Sequence, residues 1–119
     1  MSYDISFRVK VEGIDQYVEV GACNANTTWN VREMIVKSTG LEWNNCDNNG
    51  LCNDVIPCIK KGYKELMNRP EKYKKYEAKN GWGTVESTRE FFKTIIDEWE
   101  QFKKWEDKEL VDVTTFWIT

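Results

Sequence analysis

Two tryptophans stand beside small polar residues just ahead of stretches with helical periodicity: Trp29-Asn30, and the run Asn80-Gly81-Trp82-Gly83-Thr84. A helix start presents N–H groups without intrahelical acceptors and roughly half a unit of positive charge, which suits a phosphate or carboxylate. The glycines on either side of Trp82 would let a ligand approach the backbone closely. An indole alongside adds a flat face for a purine or nicotinamide ring, worth about 1–3 kcal/mol per base where proteins stack single strands. Arg32 and Arg89, one and two turns into the helices that follow, are placed to pair with phosphate oxygens. Ring plus anion describes a nucleotide-like small molecule. The candidate ligand-binding set is therefore Trp82, Gly81, Gly83, Thr84, Asn80, Trp29, Asn30, Arg32 and Arg89. Trp43, in an asparagine-rich stretch, joins them as the indole expected to be most exposed, suited to a ligand or to a protein partner.

Each of these residues also has a plainer reading. Trp82 could cover the end of the helix, its glycines permitting a tight turn while Thr84 caps; Trp29 could fill the core; both arginines could sit in surface ion pairs.

Other chemistry is limited by what is missing. The chain has no histidine, which excludes Ser-His-Asp and Cys-His catalysis and every histidine-containing metal signature. Neither G-x-x-x-x-G-K-[ST] nor G-x-G-x-x-G occurs. Asp97, Glu98 and Glu100 could in principle supply an acid/base pair for a hydrolase, but they read first as the wet face of a long helix. Asp47 and Asp54 do not match a calcium loop. Cys23, Cys46, Cys52 and Cys58 lack close C-x-x-C spacing and are expected to be free thiols, mostly buried. No catalytic residue, metal or cofactor is assigned, and the chain is expected not to be an enzyme.

The formal charge is −3 with a pI near 5.1, which leaves little cationic surplus for a phosphate backbone and argues against nucleic acid. Lys60, Lys61, Lys64, Arg69, Lys72, Lys74 and Lys75 crowd one segment and read first as a solvated helix face. No apolar run is long enough for a membrane span and no signal-type h-region opens the chain, so a cytoplasmic protein is expected.

The elements that would position these residues follow from periodicity. Tyr3, Ile5, Phe7, Val9 and Val11 alternate with polar residues, Glu12 to Asp15 supplies turn chemistry, and Val18, Val20 and Ala22 alternate again, predicting a β-hairpin. Asn30 followed by Glu33 suggests a capped helix from about Val31 to Thr39, stopping at Gly40. Glu42 to Gly50 reads as a loop. Asp54 would cap a second helix ending near Asn68, with Pro57 in its first turn, and Glu71 to Ala78 could add a turn or two. Thr84 opens a third, long helix to about Lys104, with Trp99 on its apolar stripe. Leu110 to Ile118, rich in β-branched and aromatic residues, is predicted as a final strand. The resulting fold class is α+β: one domain over residues 1–119, with a small antiparallel sheet (N-terminal hairpin plus C-terminal strand) and about three helices packed on one face. So short a sheet leaves open edges, which predicts a homo-oligomer.

The opening Ser2-Tyr3-Asp4-Ile5-Ser6 strand, the Asn30-Val31-x-x-Met34 helix start and the NGWGTVEST segment, Asn80 to Thr88, together resemble a group of small uncharacterised proteins encoded by bacteriophages and prophages. The likeness covers most of the chain in outline and carries over no catalytic residues. What it implies is a setting in which small proteins act by binding. The expectation is a sponge that sequesters a nucleotide-derived host immune signal, such as a cyclic ADP-ribose or a cyclic dinucleotide. The alternatives are an inhibitor that covers a host enzyme and a carboxylate-dependent hydrolase.

Overall fold

A computed structural model describes residues 1–119. The first strand, β1, runs from Ser2 to Lys10 and turns into β2, Tyr17–Glu19, with the turn closed by Val11 N–H donating to the Gln16 carbonyl at 2.9 Å. Strand β3, Asn26–Thr28, pairs with the opposite end of β1, so one long strand carries two short partners. A single 3₁₀ turn, Trp29–Val31, leads into helix α1, Arg32–Thr39, which ends on Gly40 at φ 76° in the left-handed conformation. Then come β4 (Asp47–Leu51), α2 (Cys52–Asn68), the short α3 (Pro70–Tyr73), a 3₁₀ turn at Lys74–Tyr76, the long α4 (Val85–Trp105), α5 (Lys108–Val113) and β5 (Thr115–Ile118).

The sheet is antiparallel, in the order β2-β1-β5-β4 with β3 also on β1. Alternation decides which side of it is dry. Tyr3, Ile5 and Phe7 of β1 and Phe116 and Ile118 of β5 are buried, and they meet the apolar stripe of α4, where Phe91, Phe92, Ile95, Trp99 and Phe102 recur at three- and four-residue steps. Trp99 packs edge-on against Phe7 at 5.3 Å. The other side of the sheet carries Trp117, with the Arg8 guanidinium 4.7 Å over its ring and Tyr17 at 5.0 Å.

The α+β class, the hairpin, the cap on α4 and the ends of α1 and α2 match the expectations from sequence. Four details differ. The sheet has five strands, because the asparagine run is not all loop: Asp47–Leu51 pairs with β5 across an irregularity between Asn48 and Leu51. The predicted last strand is half helix; Lys108–Asp112 at 2.8 Å and the Thr114 hydroxyl donating to the Leu110 carbonyl at 2.7 Å, both i to i+4, support α5 before the chain extends at Thr115. Helices number five rather than about three. Finally, α2 begins at Cys52, so Asp54 is a first-turn residue instead of the cap, and Pro57 lies in the helix interior. There it leaves the Asn53 carbonyl without its i+4 donor. No helix is long and apolar enough to cross a membrane.

Candidate functional site

The turn that leads into α4 is built by backbone hydrogen bonds. Asn80 accepts the Trp82 N–H on its side-chain oxygen at 3.0 Å, an Asx turn; Gly81 N–H donates to the Ala78 carbonyl at 3.1 Å; and Ala78 N–H donates to the Gly83 carbonyl at 3.1 Å. Gly81 (φ 78°) and Gly83 (φ 113°) occupy conformations that disfavour a side chain. Their surroundings differ. A Cβ on Gly81 would meet open space, whereas one on Gly83 would lie 2.6 Å from Val31 Cγ1 and 3.1 Å from Thr28 Cγ2. The second glycine is there because the turn presses onto the start of the α1 segment. Asn30 completes that contact by donating from Nδ2 to the Trp82 carbonyl at 3.1 Å.

Thr84 caps α4 as predicted. Its hydroxyl accepts the Ser87 N–H at 3.0 Å, and the Ser87 hydroxyl accepts the Thr84 N–H at 2.8 Å. The Val85 N–H donates to a Glu77 carboxylate oxygen at 2.8 Å, and the Thr88 N–H reaches the Thr84 carbonyl. Only the Glu86 amide is left without a protein acceptor in the first turn. The open amide cradle expected from the sequence is thus largely filled from within, by Thr84 and by the internal anion Glu77. Sequence reasoning missed Glu77; nothing in its local pattern marks a carboxylate eight residues upstream as the partner of a helix start.

Trp82 itself is 70% exposed. Beside the helix start lies a cleft of about 330 Å³ walled by Pro70, Lys74, Glu77, Thr84, Glu86 and Arg89. Arg89 is half-buried there and forms no ion pair, while Lys74 is held by Glu71 at 3.1 Å on the surface.

The remaining candidates disperse. Trp29 is 39% exposed, but its indole N–H donates to the Ser2 carbonyl at 2.8 Å and its ring stacks on Tyr3 at 5.9 Å. Asn30 is not a helix cap; Thr28 caps the 3₁₀ turn, α1 starts two residues beyond Asn30, and no capping box forms with Glu33. Arg32 donates to the Trp43 carbonyl at 3.2 Å and does not line the cleft. Trp43 is the clearest correction: it is 1% exposed, wedged among Tyr3, Phe91 and Phe116 at 5.7 to 6.1 Å, and cannot receive a ligand or a partner.

Elsewhere, Asp97 pairs with Lys93 at 2.8 Å, Glu98 accepts the Asn24 N–H at 3.0 Å, and the Lys60 ammonium hydrogen-bonded to Glu100 holds that carboxyl below its usual range. The four cysteines are free, but against expectation only Cys52 is buried and Cys46 is exposed; burial, full at Cys52 and partial at Cys23, pushes these two thiols up, the opposite of activation. No three potential ligands among the cysteines, aspartates and glutamates converge on one point.

Taken together, the fold and this corner define an α+β protein with a hydrogen-bonded, indole-tipped turn and, at the helix start that follows it, a charged cleft that Trp82 itself does not line. The chain matches no protein-family model, no curated protein and no solved structure at a significant level.

Proposed function

We propose that this chain is a binding protein that captures a small anionic, ring-containing ligand without turning it over. The chemistry fits a nucleotide-derived host immune signal, sequestered by a small phage-encoded protein. One observation carries the reading: an indole left 70% open to solvent on a turn whose own backbone is tied by hydrogen bonds at Asn30, Ala78 and Asn80. The main chain that carries the ring is fixed by these hydrogen bonds before the ligand arrives, so what opposes stacking is the rotational freedom of the indole alone. Arg89 and the Glu86 amide supply the anion contacts. Glu77 and Glu86 share the same walls, so stacking on Trp82 has to carry most of the affinity. A second copy of the chain, paired at a sheet edge, is the natural way to add a further wall.

The test is thermal denaturation against a panel of mono-, di- and cyclic nucleotides. At a hundredfold excess over Kd, a ligand bound only by the folded state adds about 2.7 kcal/mol. The expected result is a Tm rise with at least one ring-bearing nucleotide, abolished by Trp82→Ala and reduced by Arg89→Ala, with the ligand recovered at unchanged mass. A flat response across the panel overturns the reading, as does a recovered ligand of altered mass, which would mean hydrolysis.

A further inference from the structure

The chain contains two Asn-Gly pairs, Asn49-Gly50 in β4 and Asn80-Gly81 in the turn before α4. An asparagine followed by glycine can close a ring on itself. The next main-chain nitrogen comes within reach of the side-chain carbonyl carbon, and glycine has no Cβ to hinder that approach or to restrict the backbone angles it needs. Ring closure asks two things of the fold: the side-chain amide must be free to turn toward that nitrogen, and its NH2 must be free to leave. The two pairs differ in both.

Asn49 is half-buried, and both ends of its amide are held. Its Oδ1 accepts the Asn44 N–H at 3.1 Å, and its Nδ2 donates to the Asn44 carbonyl at 2.9 Å and to the Asp47 carbonyl at 3.0 Å. The Gly50 N–H donates to Asn48 Oδ1 at 2.9 Å, and the pair belongs to a strand of the sheet. These bonds have to open together before the ring can form, which makes the reactive geometry rare in the folded state. Asn80 is exposed and restrained by a single bond, the Trp82 N–H on its Oδ1 at 3.0 Å, so its Nδ2 has no partner in the protein. That same donor polarises the carbonyl and makes its carbon more electrophilic. The Gly81 N–H is bonded as well, to the Ala78 carbonyl at 3.1 Å, so the contrast lies in the asparagines. The turn belongs to no helix or strand, and a Cβ on Gly81 would meet open space.

We propose that Asn80 is a site of spontaneous deamidation in the folded protein, and that the fold protects Asn49. The Gly81 nitrogen gives its proton to solvent base and bonds Asn80 Cγ; the Cγ–Nδ2 bond breaks, ammonia leaves, and a five-membered imide closes. Water then opens the ring. Attack at Cγ yields aspartate, and attack at the main-chain carbonyl carbon yields isoaspartate, whose chain runs through Cβ and Cγ. No oxidant or reductant enters. Either product adds a negative charge beside Trp82, and isoaspartate inserts one methylene into a turn tied to Asn30, Ala78 and Gly83. This covalent chemistry is independent of ligand capture at Trp82, and neither reading rests on the other.

The test incubates the full chain in mildly alkaline buffer, folded or in urea, and digests it with a glutamate-specific protease in mild acid, which places Asn80 inside the peptide 78–86. Mass spectrometry with fragmentation follows the gain of about 1 Da at each asparagine. In the folded chain Asn80 should convert about tenfold or more faster than Asn49, and in urea the two rates should come within about threefold of each other. Gly81→Ala, whose added methyl group crowds the attacking nitrogen, should slow conversion at Asn80 about tenfold. The proposal is overturned if Asn80 stays intact, if Asn49 converts as fast in the folded chain, or if the gap persists in urea, which would mean flanking sequence rather than fold. An unchanged rate in Gly81→Ala overturns it too, because the side-chain amide would then be hydrolysed directly, without the ring.

Discussion

Helices α1 and α4 each follow a short segment bearing a tryptophan, and these two lead-in segments touch each other, yet they are stabilised by different means. At α1 the chain winds through a 3₁₀ turn, the residue before the helix makes no side-chain cap, and the Trp29 indole is hydrogen-bonded to Ser2 and stacked on Tyr3. At α4 the cap is complete without any help from Trp82, whose main chain is held and whose side chain is not. Proximity of an indole to a helix start is thus insufficient to define a site. What matters is whether the ring's N–H and faces already have partners within the fold.

The strongest way to break this arrangement is at the seam between the two lead-in segments. Gly83→Ala places a Cβ 2.6 Å from Val31 Cγ1 in a backbone conformation at φ 113°. Backbone strain of about 1–3 kcal/mol and overpacking of similar size both apply, and part of each relaxes, so a loss of about 2–4 kcal/mol is expected in urea denaturation. Gly81→Ala is the matched control, since its Cβ meets nothing; it should cost about 1–2 kcal/mol from the left-handed backbone alone. Equal losses at the two glycines would show that the segments do not press together.

A smaller effect is expected from Trp29→Ala. It removes one aromatic stack and one hydrogen bond to a backbone carbonyl from a partly exposed position, about 1–2 kcal/mol together. Trp29→Phe, which keeps a ring but lacks the N–H, should recover part of this in the same denaturation experiment. A stability indistinguishable from the parent for Trp29→Ala would make the two tryptophans equivalent and remove the contrast.

How far the residues themselves disclose this differs from case to case. Thr84 and the stripe from Val85 to Phe102 are legible because caps and helical periodicity are local, and the strand from Tyr3 to Val11 because alternation is local too. Trp43 is not. Its surroundings in sequence, Leu41-Glu42 before it and Asn44-Asn45 after it, are those of an exposed loop; only the tertiary placement of Tyr3, Phe91 and Phe116 makes the position apolar. Even there the fit is imperfect, since its buried indole N–H has no acceptor. Asn30 and Glu77 are opaque for the same reason: each serves a segment distant in sequence, Trp82 in one case and Val85 in the other. The composition of the Trp82 turn is visibly unusual, but the distinct tasks of its two glycines depend on which one meets Val31.

The smallest expected effect is the most informative. Trp82→Ala should leave stability within about 0.5 kcal/mol of the parent, as for exposed positions away from caps and cores. The contacts that fix the turn use the Trp82 N–H and carbonyl, both of which alanine retains, and the neighbouring cap belongs to Thr84 and Ser87. Exposure alone does not mark a site, since Trp105 is 71% exposed as well; the ligand reading proposed for Trp82 requires that its indole have no structural task. If Trp82→Ala instead lowered stability by as much as Trp29→Ala, the indole would be covering the helix end after all, and the contrast between the two helix starts, together with the ligand reading built on it, would collapse.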